Sequence, residues 1–169
     1  METIQTNPIA AEKEIMIKMV VSYWQVVNNR TSDLFSKLSD EELSTETAPG
    51  RNTGVYLLGH LTAVHDAMFP ILGFGERQYP DLYEVFVENP DKSGLEKPSI
   101  SELRECWTRV TASLQQHIDT THPDEWFARH NSVSAEDFAK EPHRNKLNII
   151  INRTNHLSTH LGQLIYLTK

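Results

Sequence analysis

Apolar residues recur every three or four positions through most of this chain, the repeat of helices that each bury one stripe. From Ala11 to Leu38 the row runs Ile15, Met19, Tyr23, Val26, Val27, Arg30, Leu34 and Leu38 with no internal Gly or Pro, which predicts one long amphipathic helix. Ser39 and Glu42 then stand at capping-box spacing, and Pro49-Gly50 breaks the chain. A second helix is expected from Asn52 or Thr53 as N-cap to Gly73, with Leu57, Leu61, Val64, Met68, Ile71 and Leu72 facing in. Ser99 and Glu102 open a third, whose inner face carries Leu103, Trp107, Val110, Leu114 and Ile118 and which Pro123 ends. The fourth covers about Arg144 to Thr168, with Leu147, Ile150, Ile151, Leu157, Leu161, Leu164 and Ile165 inward.

Only Tyr83 to Glu88, YEVFVE between Pro80 and Pro90, alternates as a strand would. The pattern therefore predicts an all-α fold, and four long one-striped helices pack most economically as a single four-helix bundle over residues 1–169. Two connections are long, Gly73 to Pro98 and Thr121 to His143; such connections are uncommon in a compact domain and often functional. Ser134 to Ala139 reads as a short helical turn within the second.

Charge narrows the partners. A net charge of -7 leaves no excess of Lys and Arg to neutralise a phosphate backbone or an anionic bilayer surface. Neither nucleic acid nor a membrane is an expected partner. The N-terminal segment lacks a basic stretch followed by an apolar run and a small-residue cleavage site, and the longest apolar runs read as short of the roughly 20 residues that span a bilayer. A cytoplasmic location is the expectation, and the lone cysteine, Cys106, agrees with a reducing compartment.

Eight histidines raise the question of a metal ion. His117, His122, His130 and His143 fall near helix ends or in polar connections and read as solvated surface residues. His65 lies off the stripe of the second helix and reads as boundary or surface, whereas His60 sits nearer the stripe and points inward. His156 and His160, in NHLSTHLGQL, are four apart, so they share one helical face with Cβ atoms about 5–6 Å apart. Two imidazoles on adjacent turns can converge on one ion, and an inward histidine from another helix supplies a third neutral ligand with a coordination position left open. The competing reading is a pair of ordinary neighbours, since H-x3-H arises by chance in a histidine-rich chain and no HExxH glutamate accompanies it.

GVYLLGHL, Gly54 to Leu61, and NHLSTHLGQLIYL, Asn155 to Leu167, together resemble the DinB/YfiT-like family of four-helix-bundle proteins. The resemblance implies a DinB-like bundle whose two long connections overhang an open site. It implies one divalent metal ion on His60, His156 and His160, zinc or nickel first and iron or manganese next, and frequent homodimers. It also implies small-molecule chemistry, since characterised relatives include bacillithiol-using thiol transferases and mycothiol-dependent isomerases. Leu161 stands where relatives often carry a basic residue, and Tyr56 or Leu57 where they often carry tryptophan. Those departures spare the ligands and leave the thiol and the substrate unassigned.

Three uses of such a site are open. The ion holds a low-molecular-weight thiol as thiolate and presents it to an electrophile; it generates hydroxide that hydrolyses a small substrate; or the bundle is non-catalytic and serves association. Asp66, Asn152 and Gln163 are candidates to orient the imidazoles through their second ring nitrogens. Arg153 is placed either to hold a substrate carboxylate or to form a surface salt bridge. Tyr79, Tyr83 and Phe86 in the first long connection either roof the site or pack over the bundle. Cys106, beside Trp107 inside the third helix, reads as an inert buried thiol.

Overall fold

The computed structural model describes residues 8–168. The first residues of the segment read above for a leader fall outside that range. In chain order the elements are α1 (Pro8–Lys37), α2 (Asp40–Leu43), α3 (Gly54–Asp66), α4 (Met68–Leu72), α5 (Asp81–Tyr83), a π-helical turn (Glu84–Glu88), α6 (Ile100–Thr120), a 3-10 turn (Pro123–Phe127), α7 (Ala135–Lys140), α8 (Lys146–Leu164) and a final 3-10 turn (Ile165–Leu167). The four long helices form a ring in which α1 packs on α8 and α6, and α3 on α6 and α8. Among the described residues no strand forms, only isolated bridges at Glu46–Thr53 and Arg129–Asn145.

The helix starts follow their caps. Both expected capping boxes are made, Ser39 with Glu42 and Ser99 with Glu102, and the Thr53 hydroxyl accepts the Tyr56 amide at 3.2 Å to open α3. The predicted second helix is interrupted at Ala67, because Pro70 offers no N–H to residue 66 and its ring would press on that carbonyl. A short α4 follows and closes on Gly73 in the left-handed conformation, φ 77°. Together 54–72 make a helical stretch of the length and hydropathy that could cross a membrane, longer than the apolar runs read from the sequence. However, 78% of its most apolar window is buried inside the bundle, as a core helix would be.

The expected inner rows of α1 and α8 are corrected, and the one alternating segment fits the all-α reading. The segment Tyr83 to Glu88 is helical and widens into a π turn, since nothing lies beside it to pair with as a strand. On α1 the buried row is Trp24, Val27, Thr31 and Phe35, continued by Leu38 just past its end, while Ile15, Met19, Tyr23 and Val26 stand 51–69% exposed. Ile151 on α8 and Ile165 after it, both expected inside, are exposed as well. α1 carries two apolar rows about 100° apart, and periodicity alone does not say which of them meets the bundle.

Candidate metal centre

α3 and the first long connection are fastened together along their lengths. The Asp91 carboxylate accepts the Thr53 amide at 2.7 Å and its hydroxyl at 2.8 Å, and Lys97 pairs with Asp91 from the other side. One turn on, the Tyr56 hydroxyl donates to the Asn89 carbonyl at 2.7 Å. Gly59 comes next, and a methyl group there would fall on the buried Phe86 ring, so only glycine lets the π turn lie this close to α3. At the end of α3 the Asp66 carboxylate accepts the amides of Gln78 and Tyr79 at 2.8 and 2.9 Å.

This fastening sets His60. Its Nδ1–H donates to the Phe86 carbonyl at 2.8 Å, a partner that can only accept. The tautomer follows: the Nε2 lone pair is free and points at α8. There His160 donates from Nδ1 to the Gln163 Oε1 at 2.8 Å, again turning Nε2 inward. The Nε2 of His156 lies 3.1 Å from that of His60 and 3.1 Å from that of His160, and the three nitrogens all fall within 4.8 Å of one another. Nitrogens bound tetrahedrally at about 2.0–2.1 Å from one ion lie about 3.3 Å apart, so the spacing fits a shared metal.

Burial keeps all three imidazoles neutral. Desolvation lowers the pKa of each, and His156 falls to about 4 under desolvation, its two neighbouring imidazoles and the Arg153 charge. Neutral rings with converging Nε2 atoms are what a cation requires. The buried Nδ1 of His156 has no hydrogen-bond partner among the described residues.

His60 and His156 open on a cavity of about 610 Å³ that Arg77, Tyr83, Asn131, Ser132 and Arg153 also line. Of the residues expected to orient the imidazoles, Gln163 does so, Asp66 is engaged with the first connection, and Asn152 is exposed on α8. Tyr83 borders the cavity, Phe86 lies beneath it in the core, and Tyr79 packs toward the partly buried Cys106, whose thiol burial pushes its pKa up. His65 is corrected from boundary or surface to fully buried, and His130 from surface to buried; His117 stacks on Phe74 at 4.9 Å.

The sequence model of the DinB superfamily matches residues 23–164. The chain belongs to the DinB superfamily. No curated protein sequence matches this superfamily member. A solved structure that resembles it is a conserved protein of Enterococcus faecalis, 13% identical, with a TM-score of 0.60 over 89% of this chain and 93% of that one. At that identity the likeness shows the fold alone.

Asn131 and Ser132 of this DinB-superfamily protein escaped sequence reasoning, because they reach the cavity from the second connection. That loop is held by the Asn131 amide on the Ile71 carbonyl at 2.9 Å and the Asn131 side chain on the Pro70 carbonyl at 2.8 Å. Arg77, in the first connection, likewise belongs to no helical repeat, whereas Arg153 stands three residues before His156 on the same face.

Proposed function

We propose that His60, His156 and His160 hold one divalent ion, zinc or nickel, and that the protein uses it to transfer a small-molecule thiol to an electrophile. The observation that carries this reading is the convergence of three Nε2 atoms, two of them turned inward by fixed Nδ1 hydrogen bonds. Three neutral ligands leave the ion its full charge, enough to bring the pKa of a bound thiol or water toward neutrality. Among the lining residues there is no Cys, Asp or Glu, and Cys106 lies elsewhere on α6, so the nucleophile has to arrive with the substrates. The thiol proton passes to solvent, sulfur forms a bond to the electrophilic carbon, and the leaving group departs with its electron pair. His60 and His160 keep their orientation through the Phe86 carbonyl and Gln163, and neither needs to exchange a proton.

Metal analysis of protein purified without a histidine tag tests the first half: close to one equivalent is expected, and less than about a tenth with no uptake on titration rejects the site. For the second half the loaded protein is assayed against a panel of low-molecular-weight thiols with a generic electrophile. Acceleration above the same concentration of free metal is the expected result; none with any thiol rejects transfer.

We also propose that the exposed row on α1 joins two copies of this chain. Met19, Tyr23 and Ile151 line an uncharged groove with Val20, Thr154 and Asn155, which gives two strongly acidic molecules a face on which they do not repel. A two-fold axis would lay that row against itself. Light scattering should give twice the chain mass for the wild type and the monomer mass for Met19→Glu; a monomeric wild type overturns the assignment.

A further inference from the structure

We infer that the substrate carries an anionic group, a carboxylate or a phosphoryl group, and that Arg153 and Arg77 bind it in the cavity lined by His60 and His156. This inference rests on the site proposed above and adds its substrate class. Arg153 is half-buried on α8 one turn before His156, and its charge reaches His60, His65 and His156, whose basicity it depresses. Neither Arg153 nor Arg77 has an ion pair or a hydrogen bond among the described residues. Arg77 is held instead over the Tyr83 ring, 4.1 Å from its centroid, with its donors left free.

The rest of the lining does nothing to balance these charges. Val64, Ala67, Pro70, Ile71 and Val87 are apolar, Asn131 and Ser132 are neutral, and no Asp or Glu contributes. The chain has 23 acidic residues against 16 Lys and Arg, so a cavity with two arginines and no acid runs against its composition. A half-buried guanidinium without a partner is costly, and a carboxylate or phosphoryl oxygen pair matches its fork. About 610 Å³ is in the range of small-molecule sites, large enough for a metabolite that places its anionic end on the arginines and its reactive end near the histidines.

The test is a calorimetric titration of the full-length protein, as purified, with inorganic phosphate and separately with malonate. Saturable binding of at least one is expected, and the preferred ion tells phosphoryl from carboxylate. Arg153→Gln should weaken it about tenfold or more, the worth of a charge-assisted hydrogen bond, with far-UV circular dichroism unchanged; Arg153→Lys should fall between. An ion held by metal alone would bind the Gln variant as it binds the wild type, and that result overturns the inference, as does absence of binding of either anion to the wild type. Repeating the titration after chelation separates the two ideas. Anion binding that survives without metal stands even if the metal site fails, and metal uptake with thiol turnover but no Arg153 dependence sinks only the anion assignment.

Discussion

His156→Ala should abolish stoichiometric metal retention and leave the helices in place. His156 is the hinge of the trio, since its Nε2 is the atom that lies 3.1 Å from both of the others. Structural zinc sites bind with about 10–16 kcal/mol shared among four ligands, roughly 2.5–4 kcal/mol each, so losing one ligand weakens binding about 100- to 1,000-fold. Gln163→Leu acts one step back: His160 keeps its nitrogen but loses the group that aims it, and affinity should fall about 10- to 100-fold. Neither change should unfold the bundle. His156 is half-buried, its Nδ1 has no partner among the described residues and its Nε2 contacts only the other two rings, so the alanine variant takes little from the fold. Competition with a chromophoric chelator measures the affinities, and thermal melts of metal-free protein measure the fold. A His156→Ala protein that still holds an equivalent of metal, or that unfolds with it, would show that these rings are not an open ligand set.

How far these features could be read from sequence follows from how local their causes are. The stripe on α6 needed only its own spacing, and Leu103, Trp107, Val110, Leu114 and Ile118 are all buried as expected. The two capping boxes and the Thr53 cap were equally local. His156 and His160 could be paired because helical geometry fixes a four-residue step, whereas joining His60 to them took a pattern shared with a family. His65 was misplaced because its angle from an apolar stripe matters only on a helix with a wet side. α3 has scarcely one: every residue from Tyr56 to Asp66 except His60 is buried. Asp66 was assigned toward the histidines, yet its partners are amides 12 and 13 residues further on, a connection no helical repeat announces. YEVFVE has the alternation of a strand, but a strand needs a neighbour to complete it, and here the segment turns its Phe86 ring into the core instead.

Acid should unfold this protein partly through His65. The ring is fully buried between Trp24 and Trp107, 4.9 Å from each ring centroid. Neither of its nitrogens has a hydrogen-bond partner of acceptable geometry among the described residues; desolvation outweighs the Leu61 carbonyl, and the pKa falls from 6.5 to about 3. In the unfolded chain the same imidazole binds a proton below pH 6.5, while in the fold it stays neutral down to about 3. Between those values the unfolded state binds more protons, so stability rises with pH and is lost as pH falls through that window. At 1.36 kcal/mol per pKa unit, His65 alone should remove about 2 kcal/mol between pH 7 and pH 5 and about 4 kcal/mol by pH 3. His65→Leu keeps similar volume and removes the titration. At pH 7 its stability should lie within about 1 kcal/mol of the wild type, because an apolar group replaces one whose polar atoms were unpaired. At pH 5 it should be the more stable of the two by about 2 kcal/mol, since the carboxylates and the other histidines titrate alike in both and cancel from the difference. Urea unfolding of both proteins across pH 7 to 5 gives the comparison, and parallel curves would mean that His65 is protonated inside the fold or reached by water.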